Sequence, residues 1–487
     1  MRSRVDASHG LAPRALRPSF PEGFLWGAAT SAYQIEGSVD ADGRGESIWD
    51  RFCREPGRIR DGGTGATACD HYRRYREDVA RMAELGLKAY RFSVAWPRVF
   101  PTGTGPVNPR GLDFYRRLVD ALRARAIEPV VTLYHWDLPQ ALQDRGGWAR
   151  RDTAARFAEF AATVARALGD GVRYWITLNE PWVVAFVGHL FGEHAPGIRS
   201  WAVALAVAHH QLLAHGLAVR ALRAEGGGRF QVGITLDQVP VRPATQDEAD
   251  AAAAGRFDGW RNRWFLDPVL RGRYPADLWP LLAPLWQPAG LVRPGDLDVA
   301  RARIDFLGVN YYSPAVVRHA PGRPPLEVEV LPPRGPVTAM GWAIDPGGLA
   351  QVLLRVHHEY GPLPIMVTEN GAAFPDRWDG EPVVDDPQRV AYLDGHVRAV
   401  ADAIARGVDV RGYFVWSLLD NFEWARGYGP RFGLFYVDYP SQRRVPKASA
   451  LWYREVIARN GPDASVPSPG GQAEPRRAPR RPSGPPA

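Results

Sequence analysis

YWITLNEPW, residues 174–182, runs through apolar and β-branched residues and then presents Asn179 and Glu180, with Pro181 closing the run. Near-continuous apolar character over so short a span reads as a strand covered on both sides, the habit of parallel pairing. Seven more such runs follow the same pattern: 24–30 (FLWGAAT), 88–96 (KAYRFSVAW), 128–136 (EPVVTLYHW), 230–237 (FQVGITLD), 304–312 (IDFLGVNYY), 364–371 (PIMVTENG) and 410–420 (VRGYFVWSLLD). Between them lie segments of helical period, such as 70–86 and 389–407, each closed by a glycine where a C-cap belongs. Eight strands separated by helices predict an α/β fold, a (β/α)8 TIM barrel in a single domain with long βα loops at its C-terminal face. An open doubly wound sheet is the alternative. In a barrel the active site is assembled at the carboxyl ends of the strands, which is where Glu180 stands.

The 487 residues fit one barrel unit over 18–460, flanked by an extension at 1–17 and a Pro/Arg-rich tail at 461–487. Both flanks are expected to be disordered, because the tail has a single aliphatic residue with which to offset its ordering entropy. The net charge of +7 is concentrated there: residues 1–19 supply +3 and 461–487 supply +2, leaving +2 for the body. That excludes a nucleic-acid partner as the main reading. Cys53 and Cys69 are too few for a disulfide framework and lack zinc-site spacing, so no metal or cofactor is expected. The N-terminus has no apolar signal core, and no run of about 18 apolar residues occurs, so a cytoplasmic protein without a membrane partner is expected. Oligomeric state is not legible. The 17 tryptophans exceed ordinary usage; at least half are assigned to the core, and the rest suit a cleft that stacks on sugar faces.

Polar and aromatic residues gather at the strand ends. Strand one leads to Gln34, strand two holds Arg91, strand three ends in His135 and Trp136, and strand four in Asn179 and Glu180. Strand six gives Asn310 and Tyr312, strand seven Glu369 and Asn370, and strand eight Trp416, with Glu423 and Trp424 in its loop. Two carboxyls on different strand ends of one barrel mouth suit glycosidic-bond cleavage, which needs one protonated and one ionised acid. Glu180, beside Trp182 and Val183, is the candidate for the raised pKa; Glu369, near Arg91, is the candidate for the ionised group. The irregular stretch 313–345 after strand six is expected to wall the mouth.

FPEGFLWGAATSAYQIEG (20–37), YRFSVAWPR (90–98), TLNEP (177–181), VNYYS (309–313), VTENG (367–371) and NFEWARGYGPRFGLFYVDY (421–439) resemble, in order, the signature blocks of family-1 glycoside hydrolases, specifically the bacterial β-glucosidases. The resemblance implies Glu180 as general acid/base and Glu369 as nucleophile, supported by Arg91, Asn310 and Tyr312. It places Gln34, His135, Asn179, Glu423 and Trp424 at the glycone hydroxyls, Trp416 as stacking platform and Trp342 as aglycone wall, with Trp136 and Phe432 completing the expected substrate contacts. The implied substrate is a small β-glucoside or cello-oligosaccharide. Relatives that cleave 6-phosphoglycosides carry Ser and Lys in the last loop, where this chain has Glu423 and Gly429, Pro430 and Arg431; a carboxylate there disfavours a phosphate. Thioglucoside-cleaving relatives replace the acid/base Glu by Gln, whereas Glu180 is intact. A catalytically silent sugar-binding relative remains the other alternative.

Weaker signals are set aside. GTGATA at 63–68 matches a dinucleotide fingerprint but follows no buried strand. His209 and His210 lie on an apolar helical segment without ligand-spaced partners. Glu22, Glu36 and Glu46 are charged residues near the first strand, Glu46 being read as surface.

Overall fold

The computed structural model describes residues 20–286 and 290–463. Of the tail expected to be disordered over 461–487, residues 461–463 are described, with Gly461 and Pro462 buried; the expected disorder of 1–17 and of the remaining 464–487 lies outside the described residues. Eight parallel strands close on themselves: β1 (Leu25–Ala29), β2 (Ala89–Ser93), β3 (Glu128–Tyr134), β4 (Tyr174–Asn179), β5 (Gln231–Asp237), β6 (Phe306–Asn310), β7 (Ile365–Asn370) and β8 (Val410–Trp416). Each pairs with its sequence neighbours and β8 pairs with β1, so the open doubly wound alternative is excluded. All eight expected runs supply a strand, trimmed at their ends where the chain turns into loops.

Parallel pairing requires a crossover, and the helices provide it. α1 (His71–Glu84), α2 (Pro109–Arg123), α3 (Asp152–Leu168) and α4 (Trp201–Gly226) follow the first four strands; α5 (Pro346–Tyr360), α6 (Pro387–Ala405) and α7 (Ala448–Arg459) follow the last three. Gly86 (φ +72°) and Gly407 (φ +93°) end α1 and α6 in the left-handed conformation that the sequence pattern asks for. The stretch through α4 is long and apolar enough to cross a membrane, an 18-residue window of it having mean hydropathy 1.4, but 83% of that window is buried. It packs against α3 as a core helix.

Most strands contribute to an apolar plug inside the barrel: Ala29, Ala89, Val130, Ile176, Phe306, Met366 and Phe414. β5 gives Gly233 instead, and a Cβ there would stand 2.7 Å from the Phe306 ring, so only glycine makes room. A larger apolar layer joins the outer strand faces to the helices. The stretch 313–345 differs from the wholly irregular loop expected. Ala315–His319 pairs with Val241–Pro243 on one side and with Val328–Val330 on the other in a small three-stranded sheet, because AVVRH carries two β-branched residues that find an edge partner.

Candidate active site

A cavity of about 470 Å³ opens at the carboxyl ends of the strands. Of the residues singled out in the sequence it is lined by His135, Trp136, Glu180, Asn310, Tyr312, Trp342, Glu369, Trp416, Glu423, Trp424 and Phe432. Arg91, Gln34 and Asn179 are fully buried and hydrogen-bond to residues of this lining.

Glu180 follows β4 directly, and its backbone turns to φ +48°, which few non-glycine residues adopt. Its N–H donates to the Thr235 carbonyl of β5 (3.0 Å), fixing the turn. Glu369 sits within β7 at a register irregularity against β6, opposite Asn310. Gly371, two residues on, lets the chain pass β8: a Cβ there would lie 1.8 Å from the Trp416 carbonyl oxygen. The bend at Glu180 and the bulge at Glu369 aim both carboxyls into one space.

The two carboxyls share a network but not an environment. Arg91 Nη1 donates to Glu369 Oε1 (2.6 Å) and Tyr312 Oη to Glu369 Oε2 (2.7 Å). Asn310 Nδ2 donates to Glu180 Oε1 (2.7 Å) and to Asn179 Oδ1 (3.1 Å), and Arg91 Nη2 also donates to Asn179 Oδ1 (2.6 Å). Burial raises the pKa of Glu180 well above the carboxylate range, and the negative charges of Asp237 and Glu369 add to it. Burial also pushes Glu369 upward, but Arg91 and the Tyr312 hydroxyl pull it back. A cation bonded to one carboxyl and none bonded to the other makes Glu180 the holder of the proton.

The remaining lining is polar on one side and aromatic on the other. Asn179 Nδ2 donates to His135 Nε2 (3.1 Å), since its oxygen is taken by Arg91 and Asn310; the His135 proton is therefore on Nδ1, which has no partner among the described residues. Burial first, and Arg91 second, hold His135 neutral. Gln34 Nε2 donates to Asn421 Oδ1, the Phe422 carbonyl and, at 3.5 Å, Glu423 Oε2, tying the loop after β8 to the loop after β1. The Glu423 carboxyl is pushed up to about 8 by burial and then by Glu369. Trp424 lies 4.7 Å from Trp136, and Trp342 lies 5.2 Å from Tyr312 and 6.1 Å from Phe432. Such aromatic faces cover the C–H patches of a sugar while the amides and carboxyls take its hydroxyls.

The family described as glycosyl hydrolase family 1 matches residues 16–462. The chain belongs to glycosyl hydrolase family 1. It is 54% identical over 451 residues to thermostable beta-glucosidase B of Thermobispora bispora, 91% of each chain being covered. It is 48% identical over 463 residues to a bifunctional beta-D-glucosidase/beta-D-fucosidase of Bifidobacterium breve, covering 90% of this chain and 98% of that one. Among solved structures, the beta-glucosidase from Thermotoga maritima in complex with deoxynojirimycin superposes with a TM-score of 0.89 at 47% identity, covering 92% of this chain and all of the other.

Within this family 1 site, the sequence reading passed over Asp237 and Arg261, which line the cavity beside Glu180. Asp237 is the last residue of β5, and the strand-end rule that singled out Glu180 applies equally to it. Arg261 has no such signal, being one arginine among several in the β5–β6 connection. Trp182, noted only as an apolar neighbour of Glu180, and Met340 also line the cavity. Three signals set aside are structural. His209 bonds Asp296 (2.9 Å) and Tyr274 (2.9 Å), so a carboxylate distant in sequence does reach it. Glu36 is buried and accepts from Arg98 (3.0 Å) and Tyr115 (2.6 Å). Residues 63–68 are irregular at 63–64 and form turns from 65, with no strand directly before them.

Proposed function

We propose that this family 1 enzyme is a retaining β-glucosidase that releases terminal β-D-glucosyl residues from O-glycosides and short cello-oligosaccharides, and also accepts β-fucosides and β-galactosides. One observation carries the reading: two buried carboxyls face one cavity, one gripped by Arg91 and Tyr312 and the other hydrogen-bonded, among the described residues, only by a neutral amide. In the first step the Glu369 carboxylate attacks the anomeric carbon, the C1–O bond to the aglycone breaks, and the Glu180 proton goes to the leaving oxygen. A glycosyl ester forms at Glu369. In the second step Glu180, now a carboxylate, takes a proton from water as its oxygen attacks C1; the ester bond breaks, and glucose leaves with its β-configuration retained.

Gln34, His135, Asn179, Glu423 and Trp424 hold the glycone hydroxyls, Trp416 stacks beneath the ring with Trp136 alongside, and Trp342 and Phe432 bound the aglycone side. One barrel unit over 18–460 carries the activity. The names of the Thermobispora and Bifidobacterium relatives support the glucosidase reading and its extension to fucosides. The 6-phosphoglucosidase alternative is disfavoured because Glu423 lines the pocket while Arg431 is bound to Asp420 (2.8 Å) and stacks on Tyr436 (3.9 Å). The silent alternative is disfavoured by two intact glutamates in unlike settings. The unpaired thiols Cys53 and Cys69 suit a cytoplasmic setting.

Proton NMR of an aryl β-glucoside digest tests the stereochemistry. β-Glucose appearing first, before mutarotation, is the expected result; α-glucose appearing first would overturn the retaining mechanism.

A further inference from the structure

We propose that Asp237, pinned by Arg261 at the end of the neighbouring strand, is a positioning residue that keeps the proton on Glu180 until the aglycone departs. This rests on the reading of Glu180 as the acid. Asp237 closes β5, the strand that accepts the Glu180 N–H, and it pairs in register with Asn310, the residue whose amide bonds the Glu180 carboxyl. Arg261 forms an ion pair with the Asp237 carboxylate, and its Nη1 donates to the Asp237 carbonyl (3.3 Å). The same guanidinium lies 4.0 Å over the ring of Trp182, two residues past Glu180. Three chain segments therefore meet at Glu180, and a side chain on β5 has one place to stand.

The charges around Glu180 come from every side of the mouth. Asp237 stands on β5, Glu369 on β7, Glu423 in the loop after β8, Arg91 on β2 and Arg261 in the β5–β6 connection, while neutral His135 stands after β3 and the Tyr312 phenol after β6. After burial, the charge of Asp237 is the largest influence holding the Glu180 proton on, ahead of that of Glu369, with Arg261 opposing. The two anions differ in time. Glu369 loses its charge when it becomes an ester, so its hold on the proton vanishes in the intermediate, where Glu180 must act as a base. Asp237 forms no bond to the sugar, so it acts on Glu180 in both steps, and Arg261 limits its reach so that Glu180 can still release the proton.

Asp237→Asn tests this through pH profiles measured on two leaving groups. For an alkyl β-glucoside, whose departure needs a proton, the alkaline limb of kcat/KM is expected to move to lower pH, because removing a negative charge favours ionised Glu180. The rate near pH 8 should fall about tenfold. For the 2,4-dinitrophenyl glucoside, whose leaving group needs no proton, it should change less than about twofold, and Asp237→Glu should restore the limb. An unmoved alkaline limb in a folded Asp237→Asn enzyme overturns the proposal. So does an equal loss on both substrates, or a change confined to the KM of cellobiose. Should that variant not fold, Asp237→Asn with Arg261→Gln is compared with Arg261→Gln alone, since the two charges oppose one another at Glu180: the alkaline limb of the double variant is expected at lower pH, and coincident limbs overturn the proposal. Glu180→Gln is the control: it should abolish the alkaline limb and steepen the leaving-group dependence. If the control fails, the assignment of Glu180 fails; if it holds and Asp237→Asn is silent, only this inference fails.

Discussion

Glu369 accepts from Arg91 and Tyr312, so all its nearest donors favour the ionised form against the cost of burial. Removing one donor has a predictable sign. In Tyr312→Phe the hydroxyl that lowers the Glu369 pKa is gone; the folded-state pKa rises, and the carboxylate is lost at a higher pH as the solution is acidified. The acid limb of kcat/KM is therefore expected to move to higher pH, with kcat down by about 10- to 100-fold. A pH–rate profile checks it, and an unmoved acid limb would show that the phenol does not act on Glu369. At this scale the sequence is legible where one rule suffices. Glu180, His135 and Asp237 all stand at or directly after strand ends. Arg261 was not legible, because its role depends on the helical segment Gly259–Arg263 that brings it over Trp182. The burial that raises Glu369 was not legible either, since an adjacent arginine in the strand list points only downward.

Among the elements, the loop after β8 carries Glu423, Trp424 and Phe432, and its anchor is an ionic cluster outside the cavity. Lys447 Nζ donates to Asp376 (2.5 Å) and Asp420 (2.7 Å), and Arg431 donates to Asp420 (2.8 Å) while Arg389 donates to Asp376 (2.7 Å). Lys447→Met leaves two buried carboxylates short of their common cation, a loss of about 3–5 kcal/mol. Calorimetry should show a lower melting midpoint, and KM for an aryl glucoside should rise as the loop loosens; an unchanged midpoint would contradict this account of the loop. All eight strands were legible because apolar runs of that length, separated by capped helices, leave few other folds. Their ends were less so, because Trp136 and Glu180 turn to positive φ within runs that still look strand-like. The small sheet within 313–345 was hidden by the prolines and glycines around it.

For the whole molecule, the barrel's work is to bring residues 34, 91, 135, 180, 237, 310, 369 and 423, spread over most of the chain, to one mouth. Closure fixes their spacing, since every strand is held by two neighbours and no edge is free to drift. The tryptophans divide along the same line. Trp26, Trp49, Trp96, Trp148, Trp175 and Trp264 are fully buried, while Trp136, Trp182, Trp342, Trp416 and Trp424 line the cavity. The direct test of the two-carboxyl account is to trap the intermediate. The enzyme is mixed with an activated 2-deoxy-2-fluoro-β-glucoside, which forms the glycosyl ester faster than water removes it, and the labelled peptide is mapped by mass spectrometry. One sugar per chain, attached at Glu369, is the expected result; inactivation without an adduct, or an adduct on another residue, would contradict the account.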